Sequence, residues 1–244
     1  KAFAETSGYV LVSIDHRLAP EVKLPEIVGD VEDAIRWIRH EGPELFGSDP
    51  DKLVVAGASA GGYLALLSGF RVTPRPTAIA SFWGYGAADA PFESEPSEFY
   101  RSTSPLVNRA DAFAAVGGEV LTATGPGMDG RWPYYLYLRQ QGLWLEEVSG
   151  LDPLTQQREL DSFASVRNVD GDFPPTVLVH GTNDEDVAYA ESAGLAAELL
   201  RHGVVHQLVT VEGAGHGLSG VGFDVLSDAI DQSLAFIDEH LRGR

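Results

Sequence analysis

A serine stands at the apex of a glycine-rich turn in this chain. The apolar run Leu53–Ala56 leads into Gly57–Gly62, which reads Gly-Ala-Ser-Ala-Gly-Gly, and a helix-like apolar segment follows. A sharp strand–turn–helix of this kind lifts the Ser59 hydroxyl clear of the sheet and aims the Ala60 N–H where an oxyanion would form. The flanking glycines are expected because a Cβ would clash in the tight turn. An ordinary glycine-rich turn is the alternative, but the strand and helix favour a nucleophile.

A serine nucleophile needs a base and an orienting acid, and two later strand ends offer them. Asp184 follows the buried strand Thr176–Gly181, and His216 follows the strand Gln207–Val211 within a run of glycines. The carboxyl ends of parallel strands meet at one sheet edge, so Ser59, Asp184 and His216 are predicted to converge. The order serine, acid, histidine is the one used by hydrolases with a serine elbow.

Two nearby residues compete for these roles. His180 ends the acid strand but lies too close to Asp184 to be its separate partner, so we predict a structural, hydrogen-bonded histidine. Asp186 is the second candidate for the acid. Asp184 is preferred because it comes three residues after the strand-ending Gly181 and should therefore point toward the site.

The elements that position these residues alternate between strand and helix. Predicted strands cover Tyr9–Asp15 and Ala78–Gly84 in addition to those named above. Apolar residues recur at helical spacing from Val31 to Ile38, with Asp30 as a cap and a stop at Gly42, and again from Leu226 to Leu241. We therefore predict an α/β fold with a mainly parallel open sheet and helices on both faces.

Composition limits the partners. The 244 residues suit one well-buried domain, and 36 acidic against 17 basic residues give a formal net charge of −19. Such a surface disfavours nucleic acid and anionic lipid. The chain has no cysteine and no apolar run of membrane-spanning length, so no thiolate metal site and no membrane insertion are predicted. The sequence leaves the localisation open, with the cytoplasm favoured, and is compatible with a homodimer.

Residues 85–172 interrupt the strand–helix alternation. This segment is rich in Pro, Gly, acidic and aromatic residues and is too long for a simple connection. We predict a cap over the catalytic edge, in which Trp132, Tyr135 and Trp144 contribute to a wall of the substrate pocket. For most of the cap aromatics, a small core of the cap itself is the favoured interpretation.

The motifs resemble a known family. Gly57–Gly62, together with the upstream sequence Asp-His-Arg-Leu-Ala-Pro-Glu at Asp15–Glu21, is similar to the hormone-sensitive-lipase-like branch of the α/β-hydrolases. That branch typically shows G-D-S-A-G-G and D-Y-R-L-A-P-E. The resemblance implies a carboxylesterase without metal or cofactor. The 85–172 cap is longer than this family's usual connection there, because the family builds its cap largely from the N-terminus. The resemblance treats residues 1–244 as a single α/β-hydrolase domain without its N-terminal strands. Its triad would be Ser59, Asp184 and His216, with Ala60 as an oxyanion donor and a small-molecule ester as substrate.

The chain departs from this family in several places. Ala58 replaces the usual acidic residue and His16 the usual tyrosine. The family's His-Gly-Gly loop, which supplies further oxyanion donors, occurs nowhere in the chain. We therefore expect the natural protein to be longer at its N-terminus and these 244 residues not to be fully active alone. A segment of this chain or of another one is expected to add a strand between the Tyr9–Asp15 and Leu53–Ser59 strands, and direct pairing of these two strands is the alternative.

Other functions remain open at this stage. The acid turn Asp184–Val187 also resembles that of prolyl-oligopeptidase-like hydrolases, so a peptidase or amidase is the first alternative. A non-catalytic ligand-binding protein on the same scaffold is the second. The presence of both the serine and the histidine favours the enzyme, because non-catalytic relatives commonly lose one of them.

Overall fold

The core of the fold is a parallel sheet. A computed structural model describes residues 2–122 and 130–243. Within them the strands, ordered β1-β2-β3-β4 across the sheet, all run parallel. Their bounds are β1 Val54–Ala58, β2 Ala78–Phe82, β3 Thr176–Gly181 and β4 His206–Val211. The register pairs Gly57 with Ser81 and Phe82 with Val179, so the ends of the strands that carry the polar loops lie side by side.

Helices account for most of the remaining regular structure. In chain order they are α1 Ala2–Ser7, α2 Leu24–Phe46, α3 Ala60–Arg71, α4 Pro91–Ser94, α5 Glu98–Thr103, α6 Arg109–Ala114, α7 Trp132–Gln141, α8 Trp144–Ser149, α9 Gln157–Asp161, α10 Tyr189–Arg201 and α11 Phe223–Arg242. Short 3₁₀ turns cover Ser165–Arg167 and His216–Leu218. None of the helices in the described parts of the chain combines the length and the apolarity needed to span a membrane.

The sheet buries both of its faces. Side chains alternate along a strand, so Val177 and Val179 pack with Phe236 and Ile237 of α11, whereas Leu178 between them packs with helices α3 and α10 on the other face. Strands buried on both sides are expected to be continuously apolar, and every residue of β3 is buried. The predicted α/β class with helices on both faces is confirmed.

Two predicted elements differ from the structure. Residues 9–15 form no strand, and Leu11 is 64% exposed, although the segment is rich in β-branched residues. Such residues form a strand only where a neighbouring strand and a buried face are present, and within the described residues β1 pairs with β2 alone. Helix α2 begins at Leu24, before the predicted cap Asp30, and continues through Pro43 to Phe46.

The chain divides into two compact units. Among the described residues, the first unit takes those of 1–14, 31–87 and 164–244, and the second those of 15–30 and 88–163. The first contains the whole sheet. An antiparallel bridge between Ala87 and Ala164 lies where the chain leaves and re-enters it. The cap predicted at 85–172 overlaps the second unit, which also includes 15–30.

The motif at Asp15–Glu21 is tied into the second unit by ion pairs. The guanidinium of Arg17 donates to both carboxylate oxygens of Asp30, from Nη2 to Oδ1 and from Nε to Oδ2. Glu21 accepts from Arg131 at 2.5 Å, and both side chains are less than one-tenth exposed. Burial raises the pKa of Glu21, but hydrogen bonds from the Gly117 N–H and from Arg131 bring it below its ordinary value. Arg17 and Glu21 of the motif therefore have structural contacts within this unit.

Candidate active site

Ser59 occupies a strained turn between a strand and a helix. Strand β1 ends at Ala58 and α3 begins at Ala60, and the intervening serine has φ 54° and ψ −122°. Non-glycine residues rarely adopt positive φ, and such strain collects at functional sites. The Ser59 N–H donates to the Phe82 carbonyl at 2.9 Å, which ties the turn to the end of β2. The side chain is therefore held at the carboxyl edge of the sheet, as predicted for a nucleophile elbow.

The glycines of the turn are not equally constrained. A Cβ at Gly57 would lie 2.1 Å from the Gly61 carbonyl oxygen, a distance no real Cβ adopts. A Cβ at Gly61 would meet nothing within 4 Å, so the expected clash at this flanking glycine is wrong. The second crowded position is Gly62, where a Cβ would lie 2.8 Å from Ser81 Oγ. Helix α3 can start this close to the sheet only because positions 57 and 62 lack side chains.

The three residues predicted to converge do so. His216 Nε2 lies 3.0 Å from Ser59 Oγ, and His216 Nδ1 lies 2.8 Å from Asp184 Oδ2. With the proton on Nδ1 donated to Asp184, Nε2 can accept a hydrogen bond from the Ser59 hydroxyl. These contacts join residues 157 and 32 positions apart in the sequence. The imidazole is 29% exposed, whereas the Asp184 carboxylate is fully buried.

Four hydrogen-bond donors surround the Asp184 carboxylate. Oδ1 accepts from the backbone N–H groups of Asp186 and Val187, both at 2.9 Å. Oδ2 accepts from His216 and faces His180 Nε2 at 3.3 Å. Burial alone would raise the pKa of Asp184, but the hydrogen bonds from His180, His216 and Val187 N–H outweigh it and hold the pKa well below its ordinary value. The carboxylate therefore keeps its charge and its orientation.

His180 supports the acid from behind. Its ring is fully buried, with Nδ1 at 2.7 Å from Ser192 Oγ and Nε2 at 3.0 Å from the Val187 carbonyl. A proton on Nε2 of His180 can be shared between the Val187 carbonyl and Asp184, while Nδ1 of His180 accepts from the Ser192 hydroxyl. His180 thus contacts Asp184, which in turn contacts His216. It is buried and hydrogen-bonded, as the sequence predicted.

Asp186 lies at the other end of the imidazole. Its Oδ2 is 3.7 Å from His216 Nε2, and its side chain is 10% exposed. Since Asp184 holds Nδ1, the two acids considered from the sequence occupy different sides of the same ring. Asp184 is the one in hydrogen-bonding contact with His216.

Ala60 directly follows Ser59 along the chain. Ala60 is the first residue of α3 and is exposed, and its N–H has no acceptor within the described part of the chain. The first N–H groups of a helix are unpaired within the helix and carry its positive end, so they attract negative charge. Its neighbour along the sheet edge, the Trp83 N–H, is already bonded to the Val179 carbonyl at 2.6 Å.

Sequence reasoning missed two residues beside His216. Trp83 and Leu218 are, with Ser59, the non-glycine residues of positive φ among those described, at 40° and 55°. The Trp83 ring meets the His216 ring edge-on, with centroids 6.4 Å apart. The available signal was the aromatic residue directly after strand β2 and before Gly84, at the same sheet edge as the serine.

The three aromatic residues expected in the substrate pocket cluster in the second unit. Trp132 and Tyr135 stack with ring centroids 5.1 Å apart, and Trp144 meets Tyr135 edge-on at 5.2 Å. Trp132 is 41% exposed, although it belongs to this cluster.

Within the described residues, no group of His, Asp or Glu is arranged to hold a metal ion.

Comparisons with known proteins agree with the observed fold. A family model described as the alpha/beta hydrolase fold matches residues 1–219. Esterase LipC of Mycobacterium tuberculosis is 29% identical over 231 residues, which cover 91% of this chain and 47% of LipC. An alpha/beta hydrolase superfamily protein from Enterococcus faecalis superposes with a TM-score of 0.72 at 20% identity, covering 97% of this chain and 81% of that one.

Larger proteins also contain a related segment. The non-reducing polyketide synthase adrD of Penicillium roqueforti is 28% identical over 284 residues, which cover 97% of this chain and 11% of the synthase. The chain thus spans about a tenth of the length of the synthases it matches and about half of LipC.

Proposed function

The chain belongs to the α/β-hydrolase family, and on that premise we propose that it is a serine carboxylesterase that works through an acyl-enzyme. The observation that carries the proposal is the continuous hydrogen-bonded path from Ser59 Oγ through His216 to Asp184. A hydroxyl, an imidazole and a buried carboxylate in this order are the parts that nucleophilic acyl transfer requires.

The proposed reaction begins with proton transfer from Ser59 to His216 Nε2. Ser59 Oγ then attacks the ester carbonyl, and the Ala60 N–H donates to the oxyanion that develops. Asp184 stabilises the imidazolium through Nδ1 and holds the ring in place. His216 next passes the proton to the leaving alcohol as the C–O bond breaks. Water repeats the sequence on the acyl-enzyme and releases the acid and free Ser59.

Covalent labelling tests the nucleophile. A fluorophosphonate probe should modify the wild-type protein at the peptide containing Ser59 and should not modify Ser59→Ala. In parallel, p-nitrophenyl acetate should show a burst of nitrophenol in wild type, as expected when acylation precedes a slower deacylation. Labelling that persists in Ser59→Ala would refute the assignment.

An amide substrate is the alternative to an ester. The turn Asp184–Val187, which resembles that of prolyl-oligopeptidase-like hydrolases, is the observation that favours it. Parallel assays with a short acyl ester and a prolyl peptide separate the two. Cleavage of the peptide without cleavage of the ester would overturn the carboxylesterase proposal.

We further propose that the aromatic cluster of Trp132, Tyr135 and Trp144 contributes to the substrate pocket. Its support is the stacking of the rings and the exposure of Trp132. Burial of one such side chain against an acyl chain contributes about 1.5–3 kcal/mol. Trp132→Ala should therefore lower kcat/KM for octanoate esters about tenfold or more and leave acetate esters nearly unchanged. Equal losses for all chain lengths would show that the cluster is structural.

A further inference from the structure

A second carboxylate stands beside the reacting nitrogen of the triad histidine. Asp186 Oδ2 is 3.7 Å from His216 Nε2, the nitrogen that also faces Ser59 Oγ at 3.0 Å. A separation of 3.7 Å is too long for a hydrogen bond, so Asp186 does not replace Ser59 as the partner of Nε2. The carboxylate lies next to the path of the proton without being part of it.

The backbone of Asp186 is tied to the acid of the proposed triad. Its backbone N–H donates to Asp184 Oδ1 at 2.9 Å, and its side chain is 10% exposed. Asp186 therefore moves with the acid that orients His216. The segment that carries the carboxylate is therefore anchored, and the carboxylate lies close to any substrate group that comes next to Nε2.

In an esterase, the group that comes next to Nε2 is the leaving alcohol. To receive the proton, its oxygen must come within hydrogen-bond reach of His216 Nε2. A substituent on the adjacent carbon is then brought beside Asp186. An ionised carboxylate can only accept hydrogen bonds, so it recognises a donor and repels an anion.

We propose that Asp186 selects esters of vicinal diols and polyols, in which a hydroxyl stands on the carbon next to the esterified one. This proposal rests on the proposed function, hydrolysis at Ser59. A hydroxyl donates to a carboxylate at about 2.5–2.7 Å, close enough to bridge the short space between the leaving oxygen and Asp186. The bonds that form and break are those of the proposed reaction. Ser59 Oγ bonds to the acyl carbon, the bond from that carbon to the alcohol oxygen breaks, and the leaving alcohol takes the proton held on Nε2 of His216.

A pair of acetates that differ in one group tests the selectivity. In 2-hydroxypropyl acetate a hydroxyl occupies the place of one methyl group of isobutyl acetate, and the acyl group is the same. Wild-type kcat/KM should favour the hydroxyl-bearing ester by about 10- to 100-fold, the range expected for a hydrogen bond to a charged group. Both esters form the same acetyl-enzyme, and kcat/KM covers only the steps up to its formation. The ratio of the two kcat/KM values therefore reports on the leaving alcohol alone.

Variants assign the preference to Asp186. In Asp186→Asn the ratio should fall several-fold, and in Asp186→Leu it should approach one. Glu185→Gln removes the same charge from the neighbouring exposed residue and should keep the wild-type ratio. The asparagine variant preserves the size of the side chain and the backbone bond to Asp184, so it remains informative where the leucine variant fails to fold.

Three outcomes would overturn the selectivity. One is a wild-type ratio near one with both esters hydrolysed, and another is an unchanged ratio in Asp186→Asn. The third is an equal loss on both esters in the Asp186 variants, which would mean that the carboxylate supports His216 only. Failure of wild type to hydrolyse any ester, with no probe labelling of Ser59, would refute the proposed function itself and the selectivity with it.

Discussion

At the scale of single residues, the site depends on charges that burial would otherwise disfavour. The Asp184 carboxylate is fully buried, and it stays ionised because four donors, two of them backbone N–H groups of its own turn, point at its two oxygens. Two come from the acid loop, one from His180 and one from His216. The same contacts that orient the histidine therefore also stabilise the loop that carries the acid.

This arrangement predicts a dependence of stability on pH. The pKa of Asp184 is lower in the folded protein than the ordinary value of about 3.9 that it takes when unfolded. Its ionised form thus stabilises the fold fully above that value, and this contribution is lost as the pH falls through the folded pKa. The free energy of unfolding, measured by urea denaturation, should exceed that of Asp184→Asn by a constant amount at pH 6–8. The difference should shrink as the pH is lowered below 4.

The control for this experiment is Glu185→Gln, since Glu185 is exposed one residue away. Its unfolding free energy should follow the wild-type curve. A difference between wild type and Asp184→Asn that stays the same down to pH 2 would contradict the lowered pKa of Asp184.

In the same Asp184→Asn variant we expect kcat to fall by about 10⁴, as when the orienting carboxylate of a triad becomes an amide.

At the scale of elements, the turn between β1 and α3 is the position where close packing limits substitution. The Gly61 carbonyl lies against the Cα of Gly57, so any side chain at Gly57 must push the helix away from the strand. The space around Gly61 itself is open. Of these two glycines of the same motif, close packing therefore excludes a side chain at Gly57 and leaves room for one at Gly61.

A pair of alanine substitutions separates these constraints. Gly57→Ala should lower the free energy of unfolding by about 1–3 kcal/mol or more, because the added Cβ overpacks the turn. Gly61→Ala should raise it by about 0.5–1 kcal/mol, because alanine loses less backbone entropy than glycine in a helix. Thermal and urea denaturation of both variants measure these values. A loss of stability in Gly61→Ala as large as in Gly57→Ala would contradict the geometry of the turn.

At the scale of the whole molecule, the dominant feature is its negative charge. The chain has 36 acidic and 17 basic residues, for a formal net charge of −19. Charge of one sign repels itself most strongly in the compact state, since folding brings the groups closer together. Ion pairs such as Arg75 with Asp170, at 2.5 Å, offset only part of this repulsion.

Salt should therefore stabilise the protein. The Debye length falls from about 30 Å at 0.01 M to about 8 Å at 0.15 M ionic strength, so added NaCl screens the exposed carboxylates from one another and weakens their repulsion. The midpoint of urea denaturation at pH 7.5 should rise over this range of NaCl. At pH 4.5, where many carboxylates are protonated, the rise should be smaller. A midpoint that is unchanged or falls at pH 7.5 would show that specific ion pairs outweigh the net charge.

The sequence by itself determined the four strands of the described sheet, the motif and the order of the three site residues. Glycines around Ser59, an apolar run before it and polar residues after two later strands are local patterns, and local backbone physics turns them into an elbow and strand-end loops. The bounds of β3 agree with the sequence prediction because its residues are apolar throughout and it is buried on both faces.

Only the tertiary structure decided which residues from remote parts of the sequence lie in contact. It distinguished Asp184 from Asp186, which are two positions apart and chemically identical, by placing them at opposite nitrogens of His216. It also revealed the ring contact of Trp83, the buried hydrogen bonds of His180, and the lack of a strand at residues 9–15. Sequence patterns record what one segment favours, whereas a strand partner or a hydrogen-bond donor comes from whichever segment packs beside it.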